Sequence, residues 1–161
     1  MTDCPRVAVI VLNYNGKRFF ADCCASLAAL DYPAERWQLV VVDNGSRDGS
    51  VEEARALAPQ ADLVPLPRNL GFAAGNNVGM RRALAQGYDC VALLNNDTRV
   101  DPQWLRALVE VAESAPDVAV CGSKILSWDG TLIEYSGSVF WKETTSGPAP
   151  AWSTSTHAES S

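Results

Sequence analysis

Histidine is almost missing from this chain of 161 residues, and its one copy, His157, lies near the C-terminus. A zinc site built from His and Cys is therefore not expected. A paired or C-x-x-C cysteine pattern is missing as well: Cys4, Cys23, Cys24, Cys90 and Cys121 make an odd count with no C-x-x-C spacing. Two of them fall inside strand-like runs, which fits buried thiols in a reducing compartment rather than a disulfide framework. Positive charge is in deficit, with 13 Lys and Arg against 19 Asp and Glu and a net charge of -6. That balance excludes a general nucleic-acid or anionic-membrane surface, which needs clustered basic residues. A polyanionic ligand would need local Arg, backbone N–H groups or a metal ion. Long apolar runs are also absent: none approaches the roughly 18 residues of a membrane span. The first apolar run, Val7–Leu12, is short enough to be a core strand and not a signal peptide. The expected location is the cytoplasm, with peripheral attachment at the inner face of the membrane as a variant.

What is present is ordinary globular material, 47% hydrophobic and 20% charged, of a length that suits one domain. Three apolar runs stand out: Val7–Leu12, Leu39–Val42 and Val91–Leu94. Each is closed by a polar cluster: Asn13-Tyr14-Asn15, Asp43-Asn44-Gly45-Ser46 and Asn95-Asn96-Asp97. Short β-branched runs of this kind suit parallel strands covered on both faces by helices. Open α/β sheets bind ligands outside the carboxyl ends of their strands, so the three clusters point to one shared polar site.

Between the strands, helical spacing runs over Lys17–Leu30, and Ser50-Val51-Glu52-Glu53 reads as a capping box opening a helix to about Leu57. Asp62–Leu66 is a short strand. Gly71–Gln86 is a helix closed by Gly87, and Asp101-Pro102 opens another through about Ser114. Val118–Cys121 is expected as a fifth strand, followed by a weaker strand pair between Lys124 and Ser136. Strands alternating with helices imply βαβ units and a mostly parallel sheet. The expected division is a domain over 1–143 and an irregular Ser/Thr/Pro-rich tail over 144–161.

Each polar cluster admits two readings. Asp97 with Asn95 and Asn96 offers hard oxygen donors suited to Mg²⁺ or Mn²⁺ when a ligand's phosphates complete the shell. Asp97 can equally begin a turn that helps cap the helix at Asp101. Asp43 is placed to accept hydrogen bonds from a base or ribose, yet D-N-G-S is also common in strand-to-helix loops. Gly71, Gly75 and Gly79 fall on one helix face, against which a ligand or a neighbouring strand could press closely. Glycine inside a helix costs about 1 kcal/mol relative to alanine, so the set needs such a cause. The segment is neither a P-loop nor a dinucleotide fingerprint, since it lacks the G-K-S/T ending and the first strand leads into N-Y-N-G.

The ordered set Val9–Gly16, Val41–Ser46, Asn69–Asn77 and Leu93–Asp97 resembles the N-terminal half of the family-2 glycosyltransferases, over about Val7 to Ile125. Asn69–Asn77 looks most like the rhamnosyltransferase-like subgroup. The resemblance implies a GT-A-type, Rossmann-like three-layer αβα sandwich, truncated at its C-terminal end. It implies transfer of a sugar from a UDP- or dTDP-sugar, such as dTDP-rhamnose, to a glycan or lipid-linked acceptor by metal-assisted inverting displacement. Leu12 and Asn13 would contact the base, Asp43 would hydrogen-bond the uracil or thymine ring, and Asn69 and Gly71 would line the ribose and diphosphate path. Asn95, Asn96 and Asp97 hold the family's D-x-D position, with Asp97 as the ligand to Mg²⁺ or Mn²⁺. Asn15, Gly45, Arg68 and Asn76 complete the donor-binding set.

The likeness stops before the family's acidic motif that carries the general base, and no catalytic base is identified. Asp129, Glu134 and Glu143 are the nearest acidic residues, and Trp128, Tyr135, Trp141 and Trp152 are candidates for stacking on a sugar. The competing expectation is a non-catalytic nucleotide-sugar-binding domain; a nucleotidyltransferase is less favoured for want of a basic Gly-rich first loop. An exposed sheet edge would favour a homo-oligomer.

Overall fold

The protein's structure, a computed structural model, describes residues 4–115 and 118–134, with the backbone of 135, 139–140 and 154–155. Glu143, Trp141, Trp152, His157 and the expected 143/144 boundary lie outside these residues. Of the expected tail, only Thr154–Ser155 is described, as a two-residue strand paired with Val139–Phe140. The chain forms two compact units, Met1–Glu110 and Val111–Ser161.

The first unit is built on four parallel strands: β1 (Val7–Asn13), β2 (Trp37–Asp43), β3 (Asp62–Pro65) and β4 (Cys90–Asn95). They lie in the order β3-β2-β1-β4. Three helices connect them: α1 (Lys17–Ala28), α2 (Ser50–Leu57) and α3 (Phe72–Ala85). A fourth, α4 (Trp104–Glu113), follows β4. The continuous apolar runs are explained by burial on both faces. Val7, Val9 and Val11 pack with Phe20, Cys23 and Leu27 of α1, Ala54 of α2 and Leu105 and Val109 of α4. Ala8, Ile10, Val40 and Val42 face the other way, onto Ala83 of α3. The result is the expected three-layer sandwich. Each large side chain withdrawn from water in this way contributes about 1.5–3 kcal/mol, and Phe20, Ile10 and Leu27 are buried to that degree.

The glycines of α3 have a packing cause. A methyl group at Gly75 would lie 2.5 Å from Leu12, and one at Gly79 would lie 2.7 Å from Ile10. The strands themselves press on this helix face, which lets α3 sit close to the sheet. Gly71 differs: no neighbour crowds it, and it enters α3 at φ 86°, a backbone conformation that glycine adopts most readily.

Three local expectations need correction. Ser50 is not an N-cap. Gly49 takes that position in the left-handed region, and Ser50 is the first helical residue, without a side-chain cap bond. Asp48 does the satisfying instead: its carboxylate accepts the Ser50 N–H at 3.0 Å and the Ser50 hydroxyl. Asp101 opens a turn, accepting the Gln103 N–H at 2.8 Å, and α4 begins only at Trp104. Val118–Cys121 forms no strand. Strand propensity is a preference for a half-buried pleated surface, and Val120 is 90% exposed.

In the second unit, β5 (Ile125–Leu126) and β6 (Ile133–Tyr135) pair antiparallel, as the expected weak strand pair. Asp129 organises their turn, accepting from the Ser127 hydroxyl at 2.6 Å and from the Thr131 hydroxyl and N–H. Those bonds, the Ser127 one foremost, pull its carboxyl down to about 2.

Candidate functional site

The strand ends are level, which is what brings the polar clusters together. Asn13 pairs with Asp43, Leu12 with Asn95 and Asp43 with Pro65. The order of strands reverses between β1 and β4, since β2 and β3 lie on one side of β1 and β4 on the other. A crevice outside the carboxyl ends at such a switch point is where open α/β sheets take their ligands.

The floor of this crevice is a closed hydrogen-bond network. Asn13 and Asp43 are buried at 0% and 2% exposure, and the Asn13 amide donates to Asp43 Oδ1 at 2.8 Å. The second Asp43 oxygen accepts the Ser46 N–H at 3.0 Å. The Ser46 hydroxyl accepts from the Asn13 amide at 3.1 Å and from the Asn15 N–H at 2.9 Å. Asn15 in turn accepts the Arg47 N–H at 2.9 Å. No buried side-chain donor or acceptor among the described residues is left without a partner. Burial of these groups is tolerable because each is satisfied.

Asn44 ties the β3–α3 loop to this floor. Its amide nitrogen donates to Asn69 Oδ1 at 2.9 Å and to the Gly71 carbonyl at 3.3 Å, and its oxygen accepts the Leu70 N–H at 2.8 Å. Asn69 also accepts the Gly71 N–H at 2.7 Å. Gly45 makes the approach possible, since a methyl group there would lie 2.7 Å from the Arg68 backbone. Arg68, Asn69, Leu70 and Gly71 thus stand exposed along the rim. Asn76 is buried, and its amide donates to the Phe72 carbonyl within α3 at 3.1 Å.

The β4 end completes the arrangement. Asn95 is exposed, whereas Asn96 is half-buried and donates to Asn13 Oδ1 at 2.6 Å. Asp97 is exposed and makes no hydrogen bond or ion pair with the described residues. It lies close enough to α1 to be felt at Cys23, whose thiol is pushed up to about 12 by burial, then by Cys24 and Asp97. The described residues hold no cluster of three or more His, Cys, Asp or Glu suited to a metal ion. A free, exposed carboxylate beside carboxamides fits a hard divalent ion only where a ligand supplies the other oxygens.

Of the expected residues, Asn13, Asn15, Asp43, Gly45, Asn69, Gly71 and Asn96 are brought into one network or its immediate loops, with Leu12 and Asn95 paired just beneath. Asn76 is turned into its own helix. A recess of about 480 Å³ lies alongside, lined by Asn15, Lys17, Arg18, Ala21, Asp48 and Glu53, and shares only Asn15 with the set. Sequence reasoning passed over Asn44, Ser46 and Gly16 as working parts. Their signal was position: all three sit in the two or three residues after a buried strand.

A parallel α/β sandwich with carboxamides and carboxylates gathered at the carboxyl ends of its strands is an arrangement in which open α/β sheets take their ligands. The chain belongs to glycosyl transferase family 2, whose family pattern matches residues 8–151. An uncharacterized glycosyltransferase of Haemophilus influenzae is 26% identical over 126 residues, 76% of this chain and 38% of that protein. An N-acetylglucosaminyltransferase of Mesorhizobium japonicum is 37% identical over 109 residues, 65% of this chain and 25% of the relative. Among solved structures, a mannosyltransferase of Pyrobaculum calidifontis in complex with GDP-Man and Mn²⁺ is similar at a TM-score of 0.65 and 28% identity. That match covers 71% of this chain and 34% of the other. The match thus spans well under half the length of these relatives. No helix of the described residues is long and apolar enough to cross a membrane.

Proposed function

We propose that this chain is the donor-binding part of an inverting glycosyltransferase that takes a nucleoside-diphosphate sugar and serves a glycan or lipid-linked acceptor. The observation that carries the proposal is the Asn96-to-Asn13 hydrogen bond across the switch-point crevice. It ties the β4 end, one residue before Asp97, to the strand end that pairs with Asp43.

In this scheme the exposed rim of Arg68, Asn69 and Gly71 borders the diphosphate, with the positive end of α3 behind it. Leu12, Asn13, Asn15 and Gly45 shape the base side. Both Asp43 oxygens already accept one bond, and a carboxylate retains further lone pairs for a base N–H. Asp97, Asn95 and the donor's phosphates would together hold Mg²⁺ or Mn²⁺. That ion would supply Lewis-acid neutralisation of the charge gathering on the departing diphosphate. UDP- and dTDP-sugars, dTDP-rhamnose among them, are the proposed donors, the last on the character of Asn69–Asn77. The Mn²⁺ and GDP-Man of the similar mannosyltransferase support a metal-dependent donor and add GDP-sugars to those that merit testing.

A second reading, binding without turnover, is favoured by one observation. Asp129, one of the acidic residues nearest the point where the likeness stops, is committed to its own turn and held at about 2, which makes it a poor proton acceptor. The test is to incubate the full chain with UDP-, dTDP- and GDP-sugars and Mn²⁺, following sugar release or transfer. Release that disappears in Asp97→Ala supports the enzyme. Binding without release supports the binding domain, and failure to bind any of the three contradicts both.

A further inference from the structure

The crevice network has a direction. Asp43 carries only acceptors, so the Asn13 carboxamide must turn its nitrogen toward it, and both Asn13 N–H groups are spent on Asp43 and Ser46. The Asn13 oxygen is thereby forced to face β4, where it needs a donor. Asn96 is that donor, at 2.6 Å. Its seat is shaped by Gly16, where any Cβ would overlap the Asn96 carboxamide and lie 2.7 Å from Asn13 Oδ1. Donation therefore runs one way, from Asn96 to Asn13 to Asp43.

We propose that Asn96 is a positioning residue whose required property is a hydrogen-bond donor, and that it fixes the backbone of the β4 end so that Asp97 faces the crevice. The inference rests on the donor-site role given to Asp97. Asn96 occupies the middle of a motif in which acidic character would favour a cation, and the choice of an amide over an acid follows from what Asn13 presents. A carboxylate at position 96 would meet the Asn13 oxygen with another oxygen. Asn13 cannot turn over to relieve this, because Asp43 would then face an oxygen as well. The β4 loop would have to move, and Asp97 with it.

The two possible roles of position 96 predict opposite signs. If its side chain were free to face the ion, Asn96→Asp would add a second negative charge and tighten Mn²⁺ binding. If it positions Asp97, the same change loosens it. Reversing the whole direction should then restore order. In the Asp43→Asn, Asn96→Asp double variant, the Asn13 amide can turn over, accept from position 43 and donate to position 96, while position 43 still accepts the Ser46 N–H.

The experiment is Mn²⁺ binding to the full chain in the presence of UDP, read by electron paramagnetic resonance. Asn96→Asp should weaken binding by about tenfold or more, and the same change made in an Asp43→Asn background should cost much less, relative to Asp43→Asn alone. Unchanged or tighter binding in Asn96→Asp, or an equal loss in the two backgrounds, overturns the proposal. Should a variant not fold, side-chain amide exchange in ¹⁵N-labelled wild-type protein decides. The Asn13 and Asn96 amides should exchange much more slowly than that of exposed Asn95, and equal exchange of Asn96 and Asn95 overturns the proposal. If Asp97→Ala leaves Mn²⁺ binding intact, the donor-site role fails, while the exchange measurement still judges Asn96.

Discussion

Asn13 and Asp43 are the last residues of adjacent parallel strands, pair in register, and are joined by a buried side-chain hydrogen bond of 2.8 Å. Their burial makes the bond structural as well as site-forming. Asp43→Ala would leave the Asn13 amide and the Ser46 N–H without their acceptor. Each orphaned buried donor costs about 1–3 kcal/mol. The urea midpoint should fall accordingly, with nucleotide affinity falling both with and without metal. An unchanged midpoint would mean that water replaces the carboxylate freely.

Gly79 tests the closeness of α3 to the sheet. Alanine gains about 1 kcal/mol of helix propensity over glycine. A methyl group there, however, meets Ile10 Cγ2 at 2.7 Å and Val42 Cγ2 at 3.1 Å, both on buried strands. Overpacking of this kind costs about 1–3 kcal/mol. Gly79→Ala should therefore lower the thermal midpoint; a rise would show that α3 can move away without penalty.

Cys23 gives a pH dependence with a definite sign. Burial above all raises its thiol from 9.0 to about 12, so the folded state holds this proton where the unfolded chain releases it. The associated stability is complete below pH 9 and is lost as pH rises from 9 toward 12. Cys23→Ala should flatten the alkaline limb of stability against pH. The native thiol should also resist iodoacetamide at about pH 8, below the ordinary thiol range, and react once the chain is unfolded. Rapid native alkylation would contradict the burial.

Among the described residues β4 is the outer strand on its side of the sheet, and Leu93, paired with Ile10, is 46% exposed. An open strand edge with an apolar side chain beside it invites pairing with another copy. Self-association of this chain should grow with concentration by light scattering and weaken in Leu93→Lys. A monomer at all concentrations would count against the open edge.

The sheet was legible in the sequence because burial on both faces writes itself as an uninterrupted apolar run, as in Leu39, Val40, Val41 and Val42. Strand-end clusters were legible for a related reason: polar residues are admitted only where the core stops. What escaped notice were matters of partner and direction. Ser50-x-x-Glu53 has the letters of a capping box, but Asp48 competes successfully for the Ser50 groups. Val118–Cys121 has strand composition but pairs with no strand among the described residues. Asp97 could be read as a ligand or as a turn former, and Asn96 as one more polar contact, because sequence does not show which amide group faces which neighbour.

Asp97 is proposed to help hold a nucleoside diphosphate through a divalent ion. Calorimetric titration of UDP, dTDP and GDP into the full chain, with and without Mn²⁺, tests it most directly. The account predicts that at least one nucleotide binds in an Mn²⁺-dependent manner and that Asp97→Ala weakens this by about tenfold or more, as loss of a charged partner does. Equal affinity in the variant, or no binding of any nucleotide, would contradict it.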